Sequence, residues 1–263
     1  MSDAGRQQTA IVTGANRGIG FGVARQLVEL GYRVVLAVRD EEKGREAAGK
    51  LATGAVEVRR LDVSDGKRVV VFAGELGGEG RSIDALVNNA AVALDGFDEE
   101  VARKTVDTNF YGPIHLTDAL LPLMPEGARV VMVSSGAGEL SILSPDLRSR
   151  FTADDLTRER LDALMEEFVR DVAEGRHREA GWPTSCYGVS KAGLNAFVRI
   201  AASELADRGI AINAVCPGWV RTDMGGPGAS RSIEEGAASV VHGVTIDPAS
   251  TGGFYRDGKR IAW

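Results

Sequence analysis

The sequence has few cysteines and histidines and no long apolar run. Its 263 residues include two cysteines, Cys186 and Cys216, and three histidines, which gives neither a disulfide framework nor a metal-ligand spacing. We therefore predict no metal site and interpret the scattered histidines as structural or solvated. No apolar stretch approaches the ~18 residues that span a bilayer, and the first residues lack the pattern of a signal peptide. These absences predict a protein of the reducing cytoplasm that does not bind membranes.

Basic residues are also too few for one class of partner. There are 31 Lys and Arg against 37 Asp and Glu, so the formal net charge is −6. Nucleic acids and anionic membranes bind clusters of Lys and Arg. The acidic balance therefore argues against either as the main partner, while the 44% hydrophobic content is ample for a large core.

Short β-branched apolar runs alternate along the chain with segments of helical periodicity. Most runs are continuously hydrophobic, as expected of strands covered on both faces. Repeated strand–helix–strand units predict a parallel sheet of about seven strands with helices on both sides. No Pro/Ser/Gly-rich linker divides the chain, so we predict one domain over residues 1–263. The strand runs are 9–14, 33–38, 55–60, 83–89, 128–134 and 210–215, with a short one in "GGFYRDGK".

One long segment interrupts this alternation. Residues at about 139–183 separate the fifth strand from the next helix expected to cover the sheet. Structureless loops longer than ~15 residues are uncommon in compact domains. Within the segment, residues 157–175 place their apolar side chains on one stripe, as an amphipathic helix does. We therefore predict an ordered helical insertion.

A glycine-rich turn, "TGANRGIG", follows the first strand and opens the first helix. Gly14, Gly18 and Gly20 permit a tight turn, close approach of backbone to a pyrophosphate, and close helix packing. The N–H groups at the helix start then face the anion. Because the strand before and the helix after are both present, we predict a dinucleotide site here. The alternative is an ordinary glycine-rich turn.

The end of the second strand indicates which dinucleotide binds. A carboxylate there would accept hydrogen bonds from the ribose hydroxyls of NAD, whereas a cation suits the 2′-phosphate of NADP. The strand ends with Val38 and Arg39, Lys43 follows one helical turn later, and Arg17 projects from the glycine turn. These three cations favour NADPH/NADP+. Two alternatives stay open: Arg39 and Lys43 pair with acidic neighbours on a solvated helix start, or Asp40 itself reaches the ribose.

A tyrosine and a lysine four residues apart share one helix face in "YGVSK". A hydride that leaves a reduced nicotinamide for a carbonyl carbon builds negative charge on the carbonyl oxygen, which then needs hydrogen bonds and a proton. The charge of Lys191 would favour the phenolate and lower the pKa of Tyr187 from about 10. Ser135 ends the fifth strand at the sheet edge where such folds bind ligands. We predict that Tyr187 donates the proton while Ser135 orients the oxygen; an exposed helix pair is the alternative.

These motifs resemble the short-chain dehydrogenase/reductase family from about residue 9 to the C-terminus. The likeness is carried by "TGANRGIG", "LDV", "NNA", "TNF", "VSS", "YGVSK" and "CPGWVRTDM". It implies a single doubly wound Rossmann-type α/β domain. It also assigns the catalytic serine to the second of the pair, Ser135, beside Tyr187 and Lys191. Asn109 would hold a water that relays protons toward Lys191, unless it is a hydrogen-bonded residue at a helix kink.

The same resemblance completes the predicted cofactor site. Asp62 and Val63 would contact the adenine, Asn89 would lie beside the adenosine ribose, and Val220 and Thr222 would hold the nicotinamide carboxamide. The full predicted cofactor-binding set is Gly14, Asn16, Arg17, Gly18, Ile19, Gly20, Arg39, Lys43, Asp62, Val63, Asn89, Ala90, Tyr187, Lys191, Pro217, Gly218, Val220 and Thr222.

Within that family, the long insertion between Ser135 and Tyr187 resembles the monomeric carbonyl reductases, as do "GWP", "CPGWVRTDM" and "EEGA". The resemblance implies reduction of a small-molecule ketone, aldehyde or quinone to an alcohol by NADPH. It also implies a monomer, because the insertion lies beside the helix that compact relatives use to pair subunits. One departure is "NNAA" where the family has "NNAG": Ala91 requires an ordinary backbone conformation.

We expect the insertion and a substrate loop at about 218–235 to roof the pocket. Trp219 would present an apolar surface to an aromatic or alicyclic substrate, unless it packs in the core. Cys186 and Cys216 are either modifiable thiols or buried small hydrophobes. Two other functions stay open. One is an NAD-dependent alcohol dehydrogenase on the same scaffold, and the other is a non-catalytic nucleotide-sensing protein, whose usual loss of the tyrosine or lysine is not found here.

Overall fold

A computed structural model describes residues 6–51 and 53–263 of the chain. Its strands are β1 (Thr9–Thr13), β2 (Arg33–Val38), β3 (Val56–Arg60), β4 (Ala85–Asn88), β5 (Arg129–Val133), β6 (Ala211–Val215), β7 (Phe254–Arg256) and β8 (Lys259–Arg260). They form one sheet in the order β3-β2-β1-β4-β5-β6-β7-β8. Neighbouring strands are parallel, except that β8 pairs antiparallel with β7. The predicted doubly wound α/β fold is therefore confirmed, with one strand more than expected.

The added strand is the second arm of a tight hairpin at the C-terminal end. Asp257 and Gly258 form its turn with φ values of 52° and 73°, the left-handed conformations that two-residue hairpin turns require. Tyr255 pairs with Arg260 across the hairpin. A strand of two residues is too short to show a periodicity, which explains why the sequence pattern did not reveal it.

Nine α-helices lie along the described residues. Alternate residues of β1 point to opposite faces of the sheet, so Ile11 lies in one apolar core and Val12 in the other. Helices α1, α2 and α9 cover the face of Val12, and α3 to α8 cover the face of Ile11. The bounds are α1 (Gly18–Glu29), α2 (Glu41–Leu51), α3 (Gly66–Gly78), α4 (Glu99–Val106), α5 (Gly112–Leu120), α6 (Pro145–Thr152), α7 (Arg158–Ala173), α8 (Cys186–Glu204) and α9 (Ile233–Thr245).

The segment predicted as an insertion contains two of these helices, α6 and α7. Thr157 caps the start of α7 by accepting a hydrogen bond from the N–H of Arg160, and Gly175 follows its end with a φ of 70°. α7 packs against α4 and α8. The insertion thus extends the helical layer on one face of the sheet.

The predicted domain bounds of 1–263 include residues 1–5 and 52, which lie outside the described residues. In the part of the chain that is described, no helix is long and apolar enough to cross a membrane.

Candidate active site

A cavity of about 940 Å3 lies at the carboxyl edge of the sheet. Its walls come from the turns that follow β1 to β4, from the ends of β5 and β6, and from the start of α8. Parallel sheets of this kind bind ligands at this edge, where the strand order reverses between β1 and β4. The predicted site residues that line it are Gly14, Asn16, Arg17, Gly18, Ile19, Gly20, Arg39, Lys43, Asp62, Val63, Asn89, Ala90, Tyr187, Lys191, Pro217 and Thr222.

The glycine turn forms one wall of the cavity. Gly14 and Gly18 have φ values of 64° and 56°, which favour glycine. A Cβ on Gly20 would lie 2.5 Å from Nδ2 of Asn89 and 2.6 Å from the carbonyl oxygen of Gly14. α1 starts beside this turn with no side-chain cap, so its first N–H groups are available to an anion. These features fit the pyrophosphate of a dinucleotide.

The three predicted phosphate-binding cations have different surroundings. Nζ of Lys43 lies 3.4 Å from a carboxylate oxygen of Asp40, and Arg17 forms an ion pair with Asp223 across the cavity mouth. Within residues 6–51 and 53–263, Arg39 forms no ion pair and lines the cavity. The alternative of a solvated ion pair therefore describes Lys43, whereas Arg39 is available to a phosphate.

Asp40 caps α2. Its Oδ1 accepts hydrogen bonds from the backbone N–H groups of Glu42 and Lys43, at 3.1 and 3.2 Å. The N–H of Lys43 is the largest cause of a lowered pKa for this carboxyl. Asp40 lines the cavity as Arg39 does, but one of its oxygens caps the helix and the other pairs with Lys43, so the geometry favours a phosphate on Arg39 over a ribose on Asp40.

Tyr187 and Lys191 both line the cavity from the first turns of α8. Nζ of Lys191 lies 5.7 Å from the centre of the Tyr187 ring and donates a hydrogen bond to the carbonyl oxygen of Val133 at 2.8 Å. Lys191 is only 3% exposed, and this burial lowers its pKa to about 8.

The pKa of Tyr187 differs from the expectation. Burial raises it, and a hydrogen bond with Ser135 acts in the opposite direction. The expected lowering by Lys191 is not found, because the lysine is itself desolvated and its ammonium group is directed to Val133. In the protein alone, Tyr187 is therefore held in its protonated form.

The two adjacent serines at the end of β5 point in opposite directions, as the alternation of a strand predicts. Oγ of Ser134 donates a 2.6 Å hydrogen bond to Oδ1 of Asn195 beneath the site. Oγ of Ser135 accepts a hydrogen bond from the N–H of Ala137 at 3.1 Å, and its hydroxyl is close enough to Tyr187 to lower the pKa of the tyrosine. Of the two, Ser135 is placed beside the tyrosine, although it does not line the cavity wall.

The helical segment around Asn109 is broken by a π-helical turn over Asp107–Tyr111. α4 ends before it and α5 begins after it, and the N–H of Gly112 donates to the carbonyl oxygen of Asp107, five residues earlier. Such turns add one residue to a helix and are frequent at functional sites. The apolar periodicity is helical on both sides of the turn, so the pattern gave no sign of it.

Asn109 lies in that turn and is 1% exposed. Its Oδ1 accepts from the N–H of Val92, and its Nδ2 donates to the carbonyl oxygen of Val92, each at 2.8 Å. Nδ2 also donates to Oγ of Ser190 at 3.1 Å. Both amide protons are thus used by protein atoms. These contacts favour the kink-residue alternative, and the water relay stays a prediction.

The loop after β6 places only some of its predicted site residues at the cavity. Trp219 is 60% exposed and its Nε1 donates to the carbonyl oxygen of Gly225 at 2.9 Å, so it neither packs in the core nor lines the cavity. Val220 is buried and bridges to Arg231 at the base of the loop. Gly218 has a φ of 79° that makes the loop's first turn. Of the residues predicted here, Pro217 and Thr222 reach the cavity.

The role of the insertion as a roof over the substrate stays a prediction. The described residues of 139–183 lie outside the wall of the cavity, because α7 packs on the outer helices α4 and α8. The cysteines are both buried, and burial raises the pKa of the Cys186 thiol to about 11. This favours the interpretation of Cys186 as a small hydrophobe.

Comparison with known proteins identifies the family. Residues 8–144 match the family described as short chain dehydrogenase, which is more than half of the chain, and residues 174–252 match the description enoyl-(acyl carrier protein) reductase. The chain belongs to the short-chain dehydrogenase family.

Relatives of this short-chain dehydrogenase match it over nearly their whole length. The Bos taurus protein named carbonyl reductase (NADPH) 1 is 42% identical, over 97% of this chain and 98% of its own. The Homo sapiens protein of the same name is 39% identical, over 96% of each. The solved structure of salutaridine reductase from Papaver somniferum has a TM-score of 0.88 and 31% identity, covering 95% of this chain and 99% of its own.

Sequence reasoning missed several residues that line the cavity of this short-chain dehydrogenase. Most are direct neighbours of motif residues, which was the available signal: Leu61 precedes "DV", Thr108 precedes Asn109, and Met224 ends "CPGWVRTDM". The residues not predicted are Ala37, Leu61, Ala91, Val92, Thr108, Val133, Ser134, Arg221, Asp223, Met224, Gly226, Pro227 and Ile233.

Proposed function

We propose that this short-chain dehydrogenase reduces a small-molecule carbonyl compound to an alcohol with NADPH, and that Tyr187 donates the proton. The observation that carries the proposal is that Tyr187 and Lys191 line the same cavity as the glycine turn and Arg39. The relatives named carbonyl reductase (NADPH) support both the reaction and the cofactor. The physiological carbonyl compound belongs to the class of ketones, aldehydes or quinones.

NADPH fits the residues that surround the cavity. The uncapped start of α1 and the glycine turn would hold the pyrophosphate, and Arg39 would bind the 2′-phosphate. Asp62 and Val63 would contact the adenine, and Thr222 the nicotinamide carboxamide. When bound, the reduced nicotinamide supplies the hydride for the carbonyl carbon.

The protein's own part is to stabilise and protonate the carbonyl oxygen. Because burial keeps Tyr187 protonated, its hydroxyl can donate a hydrogen bond and then its proton to that oxygen. Oγ of Ser135 accepts from Ala137, so its own O–H is left to donate. Lys191, with a pKa of about 8, can lose and regain a proton close to neutral pH, and we propose that it resupplies Tyr187.

The alternative of an NAD-dependent alcohol dehydrogenase has less support. It needs a carboxylate for the ribose hydroxyls at the end of β2. The carboxylate present there, Asp40, caps α2 and pairs with Lys43. Titration with both reduced cofactors separates the two functions.

We further propose that the enzyme acts as a single-domain monomer in the cytoplasm. The insertion helix α7 covers α4: Arg103 forms two hydrogen bonds with Glu166, at 2.7 and 2.6 Å, and Tyr111 donates to the same carboxylate at 3.0 Å. This layer occupies the helix face that compact relatives would use to pair subunits. The two unpaired thiols fit a reducing compartment.

Tyr187→Phe tests the proposed chemistry. The variant should bind NADPH with unchanged affinity, measured by fluorescence titration, and reduce an aromatic ketone or a quinone about 10²- to 10⁴-fold more slowly. The matched control is Tyr32→Phe, which removes a phenol that does not line the cavity and should keep full turnover. Turnover of Tyr187→Phe close to the unmodified rate would refute Tyr187 as the proton donor.

A further inference from the structure

We propose that Asn195 is a positioning residue for the reaction, which fixes Ser135 against Tyr187 by holding both ends of the turn that carries the serine. The proposal rests on the proposed function, because it concerns the geometry of the same proton donor. Asn195 lies on α8 one helical turn after Lys191, is 1% exposed and does not line the cavity. It touches no reacting group, so any effect on catalysis must pass through other residues.

The amide of Asn195 spans the turn after β5. Its Oδ1 accepts the hydroxyl of Ser134 at 2.6 Å, and its Nδ2 donates to the carbonyl oxygen of Gly138 at 3.2 Å. Ser134 precedes Ser135 and Gly138 ends the short 3-10 turn that follows it. One buried side chain therefore fixes both ends of the segment that carries Ser135.

The turn also lies directly on the backbone of α8. A Cβ on Gly138 would lie 2.5 Å from Cβ of Lys191 and 2.8 Å from the backbone nitrogen of Ala192. A Cβ on Gly188 would lie 2.8 Å from the carbonyl oxygen of Ala137. With so little free space, a shift of the turn relative to α8 changes the distance between Ser135 and the residues of the helix.

Within the turn, the direction of the Ser135 hydroxyl is set by local hydrogen bonds. Its Oγ accepts the N–H of Ala137 at 3.1 Å, and its carbonyl oxygen accepts the N–H of Gly138 at 3.0 Å. The hydroxyl proton is then free to point at Tyr187 or at the substrate oxygen. The nearby Ser135 hydroxyl lowers the pKa of Tyr187 against the effect of burial. Loss of the clamp, by which we mean the hydrogen bonds of Asn195 to Ser134 and Gly138, should therefore raise that pKa.

The presence of asparagine here calls for a reason. It is a poor residue for a helix interior, and both of its polar ends are buried in a largely apolar layer. Burial of an amide is tolerated only when its hydrogen bonds are made. Here the amide oxygen and the amide nitrogen each form a hydrogen bond with the turn that carries Ser135. A leucine at this position could form neither.

Asn195→Leu tests the proposal. We expect kcat for carbonyl reduction to fall about 10- to 100-fold, with the NADPH dissociation constant within about twofold of the unmodified value, since Asn195 itself does not line the cofactor cavity. The alkaline limb of the kcat/KM profile should move to higher pH, because reduction needs protonated Tyr187 and its pKa would rise. Ser135→Ala should move the limb in the same direction.

The matched control is Asn213→Leu. Asn213 is also 1% exposed and also clamps a turn: its Nδ2 donates to the carbonyl oxygen of Ser250 at 2.6 Å and its Oδ1 accepts the N–H of Gly253 at 2.9 Å. That turn carries no residue of the proposed site. Asn213→Leu should lower the melting temperature by a similar amount and leave kcat and the pH profile unchanged.

The proposal is overturned if folded Asn195→Leu keeps both kcat and the position of its alkaline limb, or if both leucine variants lose kcat equally with unmoved limbs. Should Asn195→Leu fail to fold, Ser134→Ala, which removes one bond of the clamp, must move the limb upward; an unmoved limb overturns the proposal. Failure of the proposed function is distinct, because Tyr187→Phe would then retain turnover.

Discussion

Replacing Lys191 by methionine should make the protein more stable at neutral pH relative to the unmodified chain, and this advantage should shrink in alkali. Lys191 is 3% exposed, and burial lowers its pKa from 10.5 to about 8. A shift of this size corresponds to about 3 kcal/mol of destabilisation by the buried charge. The protein thus keeps a destabilising buried lysine at a position that the proposed reaction uses.

The direction of the pH dependence follows from proton binding. Between about pH 8 and 10.5 the unfolded chain binds more protons at Lys191 than the folded chain does, so stability of the unmodified protein rises with pH. Below about pH 8 the penalty is constant and complete. Lys191→Met removes the charge at this position. It also removes the hydrogen bond to the carbonyl oxygen of Val133, which lowers the free energy of unfolding by about 1 kcal/mol at every pH.

Urea unfolding of both proteins at pH 7, 8.5 and 10 measures the effect. From pH 7 to 10, we expect the free energy of unfolding of the unmodified protein to rise by about 2 to 3 kcal/mol relative to that of Lys191→Met. Tyr187 is present in both proteins, so its titration largely cancels. Lys67→Met removes an exposed lysine as the control and should keep a constant difference. If the difference in free energy of unfolding between Lys191→Met and the unmodified protein were also constant from pH 7 to 10, the reasoning would be refuted.

Three further predictions concern the cofactor site and assembly. Arg39→Ala should weaken NADPH binding about 10- to 100-fold, since hydrogen bonds to charged groups contribute about 1.5–3 kcal/mol, and leave NADH binding nearly unchanged; equal losses in paired titrations would count against Arg39 as the phosphate ligand. Gly20→Ala should abolish cofactor binding and lower the melting temperature, because its Cβ would lie 2.5 Å from Nδ2 of Asn89; normal NADPH titration would contradict this. Light scattering should give the mass of one chain, and a stable tetramer would disprove the monomer.

The long strands could be predicted because most of them are buried apolar runs, with the half-buried β3 as the exception. β2 has the predicted bounds of 33–38. The other long strands are shorter than predicted by one to three residues, at one end or at both. The hairpin strand β8 and the π-helical turn could not be predicted, since neither changes the apolar periodicity. What the insertion covers could not be predicted, because an amphipathic stripe indicates that a helix packs but does not identify its packing partner.

The candidate site also contains some residues that the sequence pattern predicts and others that it does not. Glycines with left-handed backbone and the tyrosine–lysine pair have signatures in the sequence. Ser190, which joins Asn109 to the carbonyl oxygen of Tyr187, and Asn195, which clamps the turn of Ser135, are single polar residues in a helix. Their importance depends on what the fold places beside them. The altered pKa values of Tyr187 and Lys191 depend on burial, which the sequence motif that contains them does not show.

The π-helical turn at Asp107–Tyr111 has a consequence for which changes the chain can tolerate. A substitution there alters individual contacts, but removal of one residue would let α4 and α5 join as a single regular helix. Each residue of an α-helix advances it by about 100°, and the wider π-helical turn takes up its extra residue at nearly the same total rotation. The deletion would therefore remove the bulge that positions Asn109 while α4 and α5 keep their faces. The amide that holds Val92 and Ser190 would then be displaced from them. In this segment, chain length is under tighter constraint than residue type.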